Sequence, residues 1–153
     1  MQIALMIWML VTAIQKQNAG VAVVTLGSFL FMKPVLVLVS LTMSVCWILT
    51  LLAVEYMLLH HDRLHEKGQY PEFFLIVGIL TSYFDFLTYP IVTLGIPLCC
   101  YFLLESDRLW NNIKRLTGFS VSWAIGYAGM WAAKWVIADL TLHTGTIKDA
   151  IWS

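Results

Sequence analysis

Two ionisable side chains stand out because each interrupts a long apolar stretch. Asp85 lies within residues 73–104, and Lys134 lies in the later part of residues 116–142. Charged groups in such surroundings are costly, and they usually face other protein groups or a water-filled cavity. We therefore take Asp85 and Lys134 as candidates for a polar site within the membrane, together with Tyr89 and Tyr127.

The residue types leave several roles open for these two charges. Asp85 would pair with Lys134, cap free backbone amides near Thr88, or act as a catalytic base or substrate ligand. Lys134 would bind an anionic group in a cavity walled by aromatic residues such as Tyr127. Alternatively, its apolar stem would lie along the protein while its amine reaches the membrane surface.

Three of the four histidines fall within residues 60–68. His61 and His65 are four positions apart and would share one face of a helix, where two imidazoles and a carboxylate could bind zinc or nickel. The sequence contains no HExxH motif, and a solvated helix end that stops at Gly68 explains the pattern as well. We predict no metal and no cofactor, and no catalytic signature identifies an enzyme.

The composition places the chain in a lipid environment. Of its 153 residues, 60% are hydrophobic and 12% are charged, against about 45–50% and about 25% in soluble domains. These values exclude disorder, a solvated coiled coil and most soluble enzymes. The formal net charge is zero, so nucleic-acid binding has no electrostatic support. The lipid bilayer is the partner that the composition indicates.

Charges and prolines divide the apolar sequence into six segments. They are residues 1–14, 19–32, 35–59 and 116–142 and two short segments within 73–104. A crossing needs roughly 20 apolar residues, and a single helix over 73–104 would be too long for one crossing. Pro90 disfavours the helical conformation at Tyr89 and predicts a helical hairpin, with a re-entrant pair as the alternative. We predict one all-α, polytopic membrane domain over residues 1–153, while the N-terminal segments are short for full crossings.

The basic residues predict an orientation for six crossings. Six cations fall in connections on one side of the membrane: Lys16, Arg63, Lys67, Arg108, Lys114 and Arg115. Two fall on the other side, Lys33 and Lys148. The positive-inside rule then places connections 15–18, 60–72 and 105–115 in the cytoplasm and both termini outside.

Small residues recur along the last segment at helical spacing. Gly118, Ser122, Gly126, Gly129 and Ala133 form one narrow stripe. Such stripes let helix backbones approach closely in membranes, so we expect this face to pack against another helix. The opposite stripe carries Trp123, Tyr127, Trp131 and Lys134.

Several stretches resemble uncharacterised bacterial polytopic membrane proteins that are longer than this chain. The likeness covers roughly residues 68–150 and rests on GQYPE, YFDFLTYP, TLGIPL, GYAGMW and KW. The group is similar in its general look to membrane glycosyltransferases of the GT-C type, which transfer sugars from polyprenyl-phosphate carriers. Those enzymes carry acidic residues in a first extracytoplasmic loop that this chain lacks, so the likeness assigns no catalytic residue. It implies a multi-pass protein of the bacterial cytoplasmic membrane and a chain that is shortened or partial.

Three functions follow from these observations. The first is a membrane scaffold or subunit that packs with other membrane subunits, as the small-residue stripe suggests. The second, implied by the resemblance alone, is a fragment or shortened relative of a lipid-linked sugar transferase. The third is a small transporter that uses Asp85, because broken helices at membrane depth often mark transport sites.

Overall fold

The structure, a computed structural model, describes residues 2–16, 18–31, 40–84, 90–105 and 109–142, without the side chains of residues 41, 42 and 142. Within these residues the chain forms six α-helices and no strands. The helices are α1 (Gln2–Gln15), α2 (Ala19–Phe31), α3 (Leu41–Glu66), α4 (Tyr70–Phe84), α5 (Pro90–Leu104) and α6 (Leu109–Leu142). The all-α prediction is confirmed for this part of the chain.

The break inside residues 73–104 lies where the proline predicts it. Helix α4 ends at Phe84 and α5 begins at Pro90, a position where a helix loses no hydrogen bond to proline. The residues between these two helices lie outside the described part of the chain.

Three helices extend further than the apolar runs predict, and one of them is α4, which begins at Tyr70 rather than at residue 73. Helix α3 continues past residue 59 to Glu66, through a kink at His60, where φ is −112° and ψ is 17°. Helix α6 begins at Leu109 rather than at residue 116. The predicted connections 60–72 and 105–115 are therefore too long, because tertiary contacts of His65 and Arg115 hold these polar turns in helical form. Gly68 follows α3 with a φ of +62°, which is a common way to end a helix.

The helices alternate in direction, and three contacts define one end of the bundle. Lys16 follows α1 and donates to the carbonyl of Leu58 on α3. His65, near the end of α3, contacts Glu105, which follows α5. Arg115, in the second turn of α6, contacts both Tyr101 and Glu105. We name this the basic end.

The core lies between the helices, and its largest fully buried side chains include Trp47, Leu51, Phe74 and Tyr101. Helices α4 and α6 run parallel, because Phe74 stacks on Phe119 and Ser82 contacts Lys134 further along both helices. Helix α5 runs in the opposite direction and packs against α4, where Thr81 on α4 donates to Thr93 on α5 over 2.8 Å.

Among the described residues, one helix, Met43–Glu66, is both long and apolar enough to cross a bilayer. Helices α1, α2, α4 and α5 are apolar but have only 13 to 15 residues. At 1.5 Å per residue they are about 20–22 Å long, compared with about 30 Å for a hydrocarbon core.

Candidate functional site

Helices α4 and α6 meet at two glycines. A Cβ atom built on Gly78 would lie 2.2 Å from the carbonyl oxygen of Trp123. A Cβ atom built on Gly126 would lie 2.2 Å from the carbonyl oxygen of Leu75. Each glycine therefore touches the backbone of the opposite helix, which is the close approach that small residues permit in membrane helices.

The predicted small-residue stripe is divided by this contact. Gly126 lies in the interface, whereas Gly118 and Gly129 are exposed and have open space where a Cβ would stand. Ser122 and Ala133 are half-buried. The face of α6 that is covered by α4 combines Gly126 with two buried aromatic residues, Phe119 and Trp123.

The aromatic stripe of α6 is also divided. Trp123 is buried, and Tyr127 stacks on it with ring centroids 5.2 Å apart. Trp131 and Trp135 are about half exposed and contact each other edge to face. The stripe thus begins in the α4 interface and ends on the outer surface, and Tyr127 lies at the transition.

Lys134 lies against the C-terminal end of α4. Its amine donates to the carbonyls of Ser82 and Tyr83, and it lies 5.8 Å from the centre of the Tyr83 ring. The last carbonyls of a helix have no partner within the helix and carry partial negative charge, so a cation here is stabilising. Lys134 therefore joins α6 to the distal end of α4, which is the end away from the basic end.

Asp85 and Tyr89 lie outside the described residues, as does Thr88. The pairing of Asp85 with Lys134 and the capping role of Asp85 stay predictions. The carbonyl of Tyr83 accepts a hydrogen bond from Lys134, and Tyr83 lies two positions before Asp85 in the sequence.

The basic end holds a polar network around Glu105. The Nδ1 atom of His65 lies 2.9 Å from the carboxylate, and Arg115 lies 3.2 Å from it. Arg115 also donates to the hydroxyl of Tyr101 over 2.9 Å. Because a carboxylate only accepts, His65 carries its proton on Nδ1. The network joins the ends of α3, α5 and α6.

The network holds Glu105 in its charged form. Burial alone would raise the pKa of Glu105, but hydrogen bonds from Tyr101 and His65 and the charge of Arg115 bring it below its ordinary value. Burial alone would lower the pKa of Arg115, but the neighbouring Tyr101 and Glu105 raise it above its ordinary value. Each group therefore stabilises the charge of the other.

Tyr70 connects α4 to the same end. Its hydroxyl lies 2.6 Å from Nδ1 of His61, and its ring packs edge to face on Tyr101. Burial, followed by the neighbouring Tyr101 and acidic groups, raises the pKa of Tyr70. The hydroxyl thus keeps its proton and is available as a hydrogen-bond donor.

His61 and His65 share one face, as their spacing predicts, with ring centroids 6.2 Å apart. Each Nδ1 atom is engaged, by Tyr70 and Glu105 respectively. In the part of the chain that the structure describes, no group of three His, Cys, Asp or Glu side chains is placed to hold a metal ion. The arrangement connects helices through hydrogen bonds, and α3 ends just before Gly68, where the helix-end interpretation places the stop.

A second polar contact, not predicted from the sequence, joins α1 to α3. Thr12 donates to Glu55 over 2.8 Å and also lies 3.1 Å from the carbonyl of Trp8. The other carboxylate oxygen of Glu55 is buried and has no hydrogen-bond partner. The sequence signal for this contact was Glu55 itself, the single charge within residues 35–59.

A groove of about 520 Å³ runs between α3 and α4. Its walls include Leu52, Ile76 and Leu80, and Gln69 and Glu72 lie at its basic end. The floor includes the buried side chains Phe73 and Val77. No pattern in the sequence indicates this groove, because its size depends on the distance between two neighbouring helices.

No protein family, curated protein or solved structure matches the chain.

Proposed function

We propose that the chain is a multi-pass integral membrane protein of the bacterial cytoplasmic membrane, in which the six helices cross the bilayer and the basic end is cytoplasmic. In this proposal the bilayer thins around the four helices of 13 to 15 residues, which is how a short apolar helix is accommodated. We propose further that it acts as a scaffold or subunit that packs against other membrane proteins. The observation that carries the proposal is the convergence of three connections at the basic end.

These connections are distant in sequence. Lys16 lies by Leu58, His65 lies by Glu105, and Arg115 lies by the same carboxylate. The positive-inside rule assigns the side with more Lys and Arg in its short connections to the cytoplasm, and it places these three connections on that one side. The contacts therefore support the six-segment assignment, in which connections 15–18, 60–72 and 105–115 are cytoplasmic.

The outer surface gives independent support. Every helix presents large apolar side chains to the surroundings, for example Ile7, Val23, Leu52, Ile76, Ile91 and Ile125. Soluble monomers rarely expose contiguous apolar patches larger than a few hundred Å². Lipid is the solvent in which such a surface is stable.

Helix α6 supports the role as a subunit. Its main packing partner is α4, and much of its remaining surface is exposed, including Val121, Ile125 and Val136. Gly118 and Gly129 lie on the exposed part and would permit a further helix to approach.

The topology is tested by cysteine labelling in cells. Cys46, Cys99 and Cys100 are first replaced, and the exposed positions Glu66 and Leu140 are then used singly as Glu66→Cys and Leu140→Cys. A membrane-impermeant maleimide should label Leu140→Cys in intact cells and Glu66→Cys only after permeabilisation. Labelling of both from outside would contradict the topology, and release of the protein by alkaline carbonate would contradict insertion in the membrane.

The subunit role has its own test. Native electrophoresis of the chain, extracted in a mild detergent at its natural expression level, should show an assembly larger than the monomer. A monomer throughout would contradict the role as a subunit and leave the topology unaffected.

A further inference from the structure

We propose that the groove between α3 and α4 binds one acyl chain of an amine-bearing phospholipid from the cytoplasmic leaflet, with the carboxylate of Glu72 binding the ammonium group. This inference rests on the proposed membrane topology and adds to it a ligand and a binding site.

The groove is open to the surroundings and mostly apolar, with Leu52, Ile76 and Leu80 exposed along it. Within a bilayer, an apolar chain is therefore a more stable occupant of this groove than water. Apart from its basic end, the groove is walled by residues such as Leu49, Leu52, Ile76 and Leu80.

The packing of the neighbouring helices explains why α3 and α4 leave this space. Near the basic end they are close, since only residues 67–69 connect them and Tyr56 stacks on Phe73. Further along, Gly78 holds α4 against α6, while α3 packs on α1 through Glu55. The two helices are thus fixed by different neighbours, and the gap between them does not close.

The length of the groove matches one leaflet. Its lining extends from Gln69, the residue before α4, to Leu80 within α4, and a step of eleven residues along an α-helix rises about 16 Å. Half of a hydrocarbon core is about 15 Å. Leu52, Ile76 and Leu80 are 37–54% exposed, so the groove opens sideways, where a lipid chain would enter from the bilayer.

The carboxylate of Glu72, which lies where the groove meets the basic end, determines which headgroup fits. Glu72 is the charged residue among the lining residues, and Gln69 lies beside it in the lining. A carboxylate repels an anionic headgroup, whereas it accepts charge-assisted hydrogen bonds from a primary ammonium group. A quaternary ammonium group has no N–H to donate. Phosphatidylethanolamine therefore fits better than phosphatidylglycerol or phosphatidylcholine.

The test is competition among lipids, followed by native mass spectrometry of the full chain. The protein, purified in detergent, is incubated with equal amounts of phosphatidylethanolamine, phosphatidylglycerol and phosphatidylcholine. We expect one retained lipid, mainly phosphatidylethanolamine. In Glu72→Gln the preference for this lipid should fall about tenfold, as for the loss of one charge-assisted hydrogen bond. The control Glu66→Gln changes an exposed carboxylate at the same end and should keep the preference.

A second variant tests the position of the chain. Ile76→Trp should fill the groove and abolish lipid retention, whereas Ile125→Trp, at an exposed position on α6, should not. Thermal unfolding of each variant checks that it is folded, and Ile76→Phe replaces Ile76→Trp if the larger residue unfolds the protein.

Retention without headgroup preference, or retention unchanged by the groove-filling variant, would overturn the proposal. So would a change of oligomeric state in Ile76→Trp, which would identify a second copy of the chain as the occupant. Cysteine labelling and carbonate extraction do not depend on lipid retention, so they report separately on whether the membrane topology itself has failed.

Discussion

Gly78 and Gly126 lie opposite each other on parallel helices, and each occupies the place where the other helix's backbone leaves no room for a methyl group. Their contact fixes the distance between α4 and α6. On the same pair of helices, Lys134 reaches the C-terminal end of α4 and donates to the carbonyl of Tyr83.

We expect Gly126→Ala to destabilise the protein, because the new methyl group would overlap the Leu75 carbonyl. Forced overpacking of this kind costs about 1–3 kcal/mol of unfolding free energy. Unfolding by denaturing detergent, followed by circular dichroism, measures the difference. The matched control is Gly118→Ala, which meets open space on the same helix and should be neutral or stabilising by up to about 1 kcal/mol. Equal effects at both positions would contradict the close contact.

Lys134→Met should weaken the attachment of α6 to the distal end of α4. The variant loses the hydrogen bonds to Ser82 and Tyr83, and hydrogen bonds to charged groups contribute about 1.5–3 kcal/mol. Lys114→Met is the control, because Lys114 is an exposed cation on the same helix that lies over the Trp110 ring. Its replacement should cost less than about 1 kcal/mol. If both variants unfold at the same denaturant concentration, the role of Lys134 is wrong.

The network at the basic end predicts a dependence of stability on pH. The pKa of Glu105 is lower in the fold than its ordinary value of 4.5. Its contribution to stability is therefore present above about pH 4.5 and is lost as the pH falls through the lower, folded-state pKa. We expect the thermal midpoint to fall between about pH 5 and pH 3, and to fall less steeply in Glu105→Gln.

The matching control is Glu66→Gln, which removes an exposed carboxylate at the same end of the bundle. This variant should retain the wild-type slope of the midpoint against pH. A slope that is unchanged in Glu105→Gln would show that the network does not couple protonation to folding.

Thr12→Val should loosen α1 from α3, since it removes a hydrogen bond to a carboxylate whose other oxygen is already unpaired. We expect a loss of about 1.5–3 kcal/mol in unfolding free energy. Glu55→Gln keeps an oxygen that accepts from Thr12 and should lose less. Thr117→Val removes an exposed threonine that bonds only to its own helix and should change stability by less than about 0.5 kcal/mol. A loss in Thr117→Val as large as that in Thr12→Val would contradict the prediction.

The helical segments were predictable because their signals are local. Apolar run length and the position of Pro90 separate α4 from α5, and α1 and α2 begin and end within one or two residues of the predicted bounds. The C-terminal end of α3 and the N-terminal end of α6 are not predictable in the same way. The polar turns around His65 and Arg115 are helical and contact Glu105, which is distant in sequence from His65.

The candidate site likewise combines features that local sequence signals predict with features that depend on contacts between distant residues. Sequence alone identified Lys134 as an unusual cation and Gly126 as a small residue suited to close packing, because both stand out by type within an apolar helix. Which partners they meet depended on the tertiary structure. Helical periodicity gives the faces of one helix but not which neighbour covers each face, so Gly126 is covered by α4 while Gly118 and Gly129 are exposed. Only the tertiary structure reveals the groove beside Ile76, because its width depends on the distance between α3 and α4, and other contacts fix that distance.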